Sequence, residues 1–201
     1  YRKTITGVYA QRLPNKLSEA GIDNIIFNEG IGGSHTGRLI DNGRHKIPHA
    51  LDRFDTSVLA RDPDRVIICF GLNDSWVDKG KEKSRISPEN YRANLQFMIR
   101  SLKDIGVPTI LMTPNAIAGQ YEKWRYERSY EYAGIVRSIA LEENIPLIDQ
   151  WILFEDYASN DGQEIEDLLV DGMHPNNQWH EVLSDLLTNI IVEQLNNSSH
   201  E

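Results

Sequence analysis

Short apolar runs alternate along the chain with segments in which apolar residues recur every three or four positions. Four runs, at 24–28, 65–70, 109–113 and 145–149, have the length of strands and contain many β-branched or aromatic residues. Runs that are apolar on both faces are typical of parallel strands buried inside a sheet. The pattern therefore predicts four buried parallel strands separated by helices.

The helical segments carry apolar stripes wide enough to cover a sheet. A first helix is predicted over 5–17, and Ser87-Pro88 supplies a cap and a first-turn proline for a second. The stripes on the first, second and last helices consist of Val8, Leu13 and Leu17; Tyr91, Leu95, Met98, Ile99 and Leu102; and Trp179, Val182, Leu183, Leu186, Leu187, Ile190 and Ile191. Helical crossovers between parallel strands predict an α/β fold, a three-layer α/β/α sandwich with a parallel sheet. The stretch 151–169 is expected to be an irregular acidic connection.

Composition narrows the class of protein. A chain of 201 residues with 40% hydrophobic content is typical of one domain, here expected over 1–201. The 30 acidic and 21 basic residues give a net charge of −9, which disfavours nucleic acid as a partner. No run reaches the roughly 18 apolar residues of a membrane-spanning helix, so no integral membrane segment is expected. Cys69, inside an apolar strand, is expected to be a buried free thiol rather than a nucleophile.

An acid and an imidazole stand close together near the C-terminus. In open parallel sheets, sites form in the loops beyond the carboxyl ends of the strands, here 28–37, 71–87, 114–124 and the stretch that follows the last strand. That last stretch contains Asp171 and, three residues later, His174. A carboxylate on one ring nitrogen fixes the tautomer of a histidine and stabilises its protonated form. The pair therefore predicts the base half of a hydrolase.

Two of the other loops offer hydrogen-bond donors. The loop 28–37 is dense in glycine, so its backbone N–H groups can closely approach an oxyanion or a phosphate; a tight turn is the alternative. Asn73 follows the strand at 65–70 and carries a neutral N–H donor; an Asx turn, with Asp74 capping the next segment, is the alternative. Neither a dinucleotide fingerprint nor a P-loop ending is present, which disfavours nucleotide binding.

Taken together, these segments resemble the SGNH hydrolases, also called GDSL esterases and lipases. The loop 28–34 is similar to the family's glycine block, Gly71-Leu72-Asn73-Asp74 to its asparagine block, and Asp171-Gly172-Met173-His174 to its closing block. The resemblance implies a serine ester hydrolase that acts by acyl transfer. It assigns His174 as the base, Asp171 as its orienting acid, and the Gly33 backbone N–H and the Asn73 side chain as oxyanion donors, with no metal or organic cofactor.

The family's Gly-Asp-Ser block, which carries the nucleophile, has no counterpart in the chain. It would end a first strand and lead into the first helix, so we expect that strand and its serine to lie before Tyr1 and the sequence to be a fragment of the active chain. Ser34 is the rival inside the chain, because Gly32 to Thr36 nearly spells an α/β-hydrolase elbow. That elbow serine directly follows its strand, whereas Ser34 lies within a glycine loop. We therefore expect Ser34 to satisfy local backbone groups.

Other functions stay open at this stage. A metal site built from His35, His45, His49, His174 and His180 with Asp74 and Asp171 lacks any known ligand spacing, so these histidines, His180 included, are expected at the surface. A catalytically inactive module that binds a carbohydrate or a partner is the second alternative.

For the esterase, the resemblance implies short-chain esters or O-acetylated carbohydrates as substrates. The aromatic residues of two loops form either a sugar platform or core packing: Tyr121, Trp124, Trp151 and Tyr157. Oligomeric state and compartment are not assigned.

Overall fold

Helices and parallel strands alternate in the computed structural model, which describes residues 5–42 and 46–198. The strands are β1 (Val66–Cys69), β2 (Thr109–Met112) and β3 (Leu147–Ile148). The helices are α1 (Tyr9–Glu19), α2 (Leu39–Asn42), α3 (Ala50–Ser57), α4 (Leu72–Ser75), α5 (Pro88–Asp104), α6 (Lys123–Glu143), α7 (Gln150–Ala158) and α8 (Asn177–Ser198). Short 3₁₀ turns cover Leu59–Arg61 and Ile165–Leu168.

The three strands form one parallel sheet in the order β1-β2-β3. Ile68 pairs with Leu111, and Leu111 in turn pairs with Leu147, so β2 is the central strand and all four of its residues are buried. Helix α5 leads from β1 to β2 and helix α6 from β2 to β3, as parallel pairing requires. Three predicted strands are thus confirmed, each shorter than its apolar run.

The predicted strand at 24–28 is wrong. This segment forms no ladder with any described strand, and the side chains of Ile25 and Phe27 are 81% and 54% exposed. A strand exists only where a neighbour takes up its backbone N–H and C=O groups. Strand-like composition without a ladder leaves residues 24–28 outside the regular elements.

Helix α5 begins where the sequence indicates. The Ser87 hydroxyl accepts from the Asn90 backbone N–H at 3.3 Å, and Pro88 fills the first turn. The whole predicted stripe is buried and packs with α3 and α6 in one apolar cluster that covers the sheet. Tyr132 of α6 lies 4.9 Å from Tyr91, centroid to centroid.

The expectation of an irregular connection over 151–169 is wrong for its first half. Helix α7 occupies most of it, because Trp151 and Phe154, three residues apart, are fully buried on one face. The Thr113 hydroxyl accepts from the Trp151 backbone N–H at 3.1 Å and so fixes the start of the helix. The acidic residues of the segment mask this short apolar stripe in the sequence.

The contacts divide the chain into two compact units. The first comprises Tyr1–Asn28, Ile117–Gln120 and Tyr157–Glu201, and the second Glu29–Ala116 and Tyr121–Asp156. Within the first unit α1, which begins four residues later than predicted, packs on α8, and Lys16 forms ion pairs with Glu181 and Asp185. None of the helices in the described residues is both long and apolar enough to cross a membrane. The prediction of a single domain over 1–201 stays a prediction.

Candidate active site

Asp171 and His174 lie together in the first unit. Nδ1 of the His174 ring is 2.8 Å from Oδ2 and 3.0 Å from Oδ1 of Asp171. Because a carboxylate only accepts, Nδ1 carries the proton and the lone pair of the ring is on Nε2. His174 is therefore held in the tautomer that a general base requires.

The loop that carries this pair is held by backbone bonds. Oδ1 of Asp171 accepts from the backbone N–H groups of Met173 at 3.2 Å and His174 at 2.9 Å, which curls the chain so that the ring returns to the carboxylate. Gly172 has a φ of +79°, and a Cβ there would lie 2.4 Å from Nε2 of Gln120. That Gln120 amide donates to the Asp171 carbonyl at 2.8 Å. The positive φ favours glycine at 172, and a side chain there would displace the Gln120 amide from the Asp171 carbonyl.

The electrostatics favour an ionised Asp171. Partial burial raises its pKa, but the hydrogen bonds from the His174 backbone and ring and from the Met173 backbone outweigh burial and leave the pKa below its ordinary value. The side chains of Asp171 and His174 remain 36% and 42% exposed. A ring with an ionised partner and access to solvent can both take up and release a proton.

Gly33 lies in the second unit, at the third position of a tight turn. The Ile31 carbonyl accepts from the Ser34 backbone N–H at 3.1 Å, and the φ of Gly33 is +84°. The turn does not use the N–H of Gly33. Within the described residues this N–H donates no hydrogen bond. The turn given as the alternative is therefore present, and the role of Gly33 as a backbone donor stays a prediction.

Asn73 lies on α4, directly after β1. Gly71 makes this sharp connection possible, with a φ of +133° and Pro114 so close that a Cβ would lie 2.8 Å from its Cγ. Oδ1 of Asn73 accepts from Nη1 of Arg85 at 3.0 Å. Its Nδ2 makes no hydrogen bond within residues 5–42 and 46–198. Asn73 therefore lies at a strand end, as the sequence predicts, and its role as an oxyanion donor stays a prediction.

Asp74, next to Asn73, links the two donor loops. Its Oδ1 accepts from the backbone N–H of Thr36 at 2.8 Å and from the Thr36 hydroxyl at 2.5 Å. Asn94 donates to the same hydroxyl at 3.1 Å. Asp74 is fully buried, and burial raises its pKa to about 6 despite the Thr36 hydrogen bonds, which lower it. The Asp74 carboxylate thus binds a loop 38 residues away, and hydrogen bonds from the backbone of Gly71 and of Asp74 itself, at the start of α4, also lower its pKa.

Ser34 does not have the environment of a nucleophile. It is buried, and its hydroxyl donates to the His35 carbonyl at 3.5 Å. No strand of the described chain leads into it, and the next helix, α2, begins five residues later. The strand, elbow and helix of an α/β-hydrolase are therefore absent there, as the sequence argument expects.

The expectation of surface histidines is wrong for three residues. His35 and His49 are fully buried and stack with ring centroids 3.5 Å apart, and Nδ1 of His49 accepts from the His35 backbone. His180 is also buried, with Nδ1 accepting from the Tyr9 backbone at 3.4 Å, and burial lowers its pKa to about 4. In each of these three residues a backbone N–H donates to Nδ1 of the ring, a contact that no spacing in the sequence reveals. His45 lies outside the described residues, among which no three metal-ligating side chains converge.

The aromatic residues proposed as a sugar platform fall into different environments. Trp151 is fully buried between Tyr126 and Tyr130, so for this residue core packing is correct. Trp124 is exposed, but the Arg125 guanidinium lies 4.3 Å from its ring centroid. Tyr121 packs edge-on against Trp76, and Tyr157 is half-buried in the first unit.

Residues 3–182 match the GDSL-like lipase/acylhydrolase family. The chain belongs to that family. It is 29% identical over 163 residues to an acetylxylan esterase of Geobacillus stearothermophilus, a match that covers 79% of this chain and 68% of the relative. A lipase/acylhydrolase from Enterococcus faecalis, known from its crystal structure, matches with a TM-score of 0.72 and 25% identity over 93% of this chain and 86% of its own. The α/β fold with a parallel sheet is thus that of the SGNH hydrolases.

A third relative shows how much of a related protein this chain covers. The uncharacterized lipoprotein YqeF of Bacillus subtilis is 30% identical over 161 residues, which cover 71% of this chain and 61% of the lipoprotein. The chain therefore spans less than two thirds of that relative's length. Gly33, Asn73, Asp171 and His174 all lie inside the segment that matches the family.

Proposed function

We propose that the full-length protein is a serine ester hydrolase that acts by acyl transfer. The observation that carries the proposal is the 2.8 Å contact between Nδ1 of His174 and Asp171, which presents Nε2 as a base. Membership of the GDSL-like lipase/acylhydrolase family and the similarity to an acetylxylan esterase support the same reaction class.

In the proposed mechanism His174 handles the proton. Its Nε2 takes the proton of the nucleophilic hydroxyl as that oxygen attacks the ester carbonyl, and Asp171 stabilises the imidazolium that forms. The Gly33 backbone N–H and Nδ2 of Asn73 donate to the tetrahedral oxyanion. His174 then returns the proton to the leaving alcohol, and water releases the acyl group by the same steps in reverse.

The nucleophile in this proposal is a serine that precedes Tyr1 in the full-length protein. Two features support it over Ser34: the buried, backbone-bonded state of Ser34 and the absence of an elbow around it.

The substrate class we propose is short-chain esters, including O-acetylated carbohydrates. The similarity to an acetylxylan esterase supports an acetyl donor on a sugar. Among Tyr121, Trp124, Trp151 and Tyr157, Trp124 is the exposed residue, and the Arg125 guanidinium lies over one part of its ring. In this proposal a sugar therefore stacks on Trp124 beside Arg125 and not on Trp151.

Hydrolysis of an aryl acetate by the full-length protein tests the proposal. His174→Ala and Asp171→Asn should each lower kcat, the first by about 10⁴-fold and the second by about 10²–10³-fold. The loss for Asp171→Asn is smaller than that seen for a buried acid, because both side chains are more than a third exposed and water partly replaces the carboxylate.

His180→Gln is the matched control, since this histidine also lies in the first unit and its imidazole accepts from the Tyr9 backbone. Its kcat should stay within about twofold of the parent. Activity that survives replacement of every serine before Tyr1 but disappears in Ser34→Ala refutes the assigned nucleophile. Loss of activity with a chelator favours the metal alternative, and an inert full-length protein favours the binding module.

A further inference from the structure

Arg85 holds the carbonyl end of Asn73 from a buried position in the second unit. Its Nε and Nη2 donate to the carboxylate of Asp78, at 2.9 Å for the shortest contact, and its Nη1 donates to Oδ1 of Asn73 at 3.0 Å. The side chains of Arg85 and Asp78 are only 8% and 13% exposed. The guanidinium therefore connects an acid that neutralises it to the amide of the oxyanion donor.

The chemistry of guanidinium fixes which way this amide points. Arginine has five N–H donors and no acceptor, so the atom of Asn73 that faces it must be the carbonyl oxygen. The NH₂ group then points away from Arg85. An amide without such a partner flips readily and would present its oxygen to the oxyanion part of the time, which repels the charge that the donor is meant to stabilise.

The segment that carries Arg85 is itself closed by hydrogen bonds. The Arg85 backbone donates to the Trp76 carbonyl at 2.9 Å, and the Ile86 backbone donates to the Asp74 carbonyl at 3.2 Å. Arg128 of α6 donates to the Ser84 hydroxyl at 2.9 Å. Because loop, acid and guanidinium are each held, the Asn73 amide is oriented before a substrate binds, the condition under which an oxyanion donor is most effective.

We propose that Arg85 is the positioning residue of the oxyanion donor Asn73. This inference rests on the proposed function. The guanidinium acts in two ways: it prevents the amide from flipping, and its charge-assisted hydrogen bond polarises the amide so that the N–H groups become better donors. Arg85 needs no contact with the substrate for either effect.

The test is a double-mutant cycle on kcat in the full-length protein, with Arg85→Lys as the main variant. Lysine keeps Asp78 paired and so protects the fold, but its compact ammonium cannot reproduce the planar fork that serves Asp78 and Asn73 together. We expect kcat to fall about tenfold and KM to change less than about twofold, because the lost effect operates on the transition state. Arg85→Ala should lose more, with partial recovery when guanidinium is added.

The Asn73→Ala background distinguishes positioning from a structural role. Asn73→Ala alone should lower kcat about 10²–10³-fold, and Arg85→Lys in that background should then change kcat less than about twofold. Arg92→Ala, which removes an arginine that donates to Ser138 and Glu142 and not to the segment of Arg85, is the matched control and should keep kcat within about twofold.

Equal losses from Arg85→Lys in the parent and in the Asn73→Ala background overturn the inference and leave the proposed function intact. A kcat for Asn73→Ala equal to that of the parent overturns the oxyanion assignment and the inference together. Thermal unfolding of each variant, measured in parallel, separates a loss of kcat from a loss of folded protein.

Discussion

Replacing Asp74 by asparagine should change how the stability of the protein depends on pH. In the folded chain burial raises the pKa of Asp74 to about 6, compared with 3.8 for an unperturbed aspartate. The folded state therefore binds this proton more tightly than the unfolded state does. The resulting stabilisation is fully present below about pH 4 and is lost as the pH rises through about 6.

The magnitude follows from the two pKa values of the same carboxyl group. A difference of about two units, at about 1.4 kcal/mol per unit, corresponds to about 3 kcal/mol of unfolding free energy. The amide introduced by Asp74→Asn would keep a carbonyl oxygen for the backbone N–H and hydroxyl of Thr36, which lie 2.8 and 2.5 Å from Oδ1 of Asp74. An amide cannot ionise, so the pH-dependent contribution disappears while the link between the loops is retained.

Urea unfolding at pH 4, 5, 6 and 7 measures this effect. The unfolding free energy of Asp74→Asn minus that of the parent should rise by about 2–3 kcal/mol from pH 4 to pH 7. Contributions from distant groups cancel in the difference, because such sites act independently. Parallel profiles for the two proteins would refute the raised pKa and with it the account of a buried, ionisable link.

Three further predictions concern the fold and the support of the site. For His180 the dependence of stability on pH has the opposite sign, because burial lowers the pKa of its imidazole to about 4. Its contribution to the unfolding free energy is present above about pH 6.5 and is lost as the pH falls through about 4. His180→Gln should therefore gain stability relative to the parent at pH 4 in the same urea experiment. Trp151→Ala should lower the unfolding free energy by about 3–5 kcal/mol, measured at pH 7, because a fully buried indole is lost; an effect under about 1 kcal/mol would contradict its place in the core. Gly172→Ala should lower kcat on an aryl acetate more than Gly80→Ala does, since both glycines have positive φ but only at 172 would a Cβ collide with Gln120; equal kcat values would show that this close approach does not matter.

The local chemistry of two blocks could be predicted because each depends on neighbours in sequence. Asp171 reaches His174 three residues away through one curled loop, and Gly33 forms its turn within four residues. The cap at Ser87 and the buried stripe of α5 are local in the same sense. The family and the α/β fold, predicted from these blocks and from the alternating elements, are confirmed.

The errors arise where distant partners decide the outcome. The composition of 24–28 is that of a strand, but a ladder needs a neighbour that periodicity cannot supply. His35 and His49 are buried and stacked, and the His35 backbone donates to Nδ1 of His49, 14 residues further along the chain. The hydrogen bond between Asp74 and Thr36 joins residues 38 positions apart, and no spacing pattern in the sequence predicts it.

The arrangement around α4 explains why an acid should follow the donor asparagine. Asn73 and Asp74 are adjacent on one four-residue helix, so their side chains point in different directions. Asn73 is held by a guanidinium, which can only donate and therefore leaves the amide N–H groups for a ligand. Asp74, which only accepts when ionised, takes the backbone N–H and hydroxyl of Thr36, three residues after Gly33. One turn of helix thus anchors the segment that carries Gly33, the proposed backbone donor, and presents Asn73, the proposed side-chain donor. A neutral residue without an acceptor at 74 should therefore impair both donors, whereas a change at Arg85 should impair only Asn73.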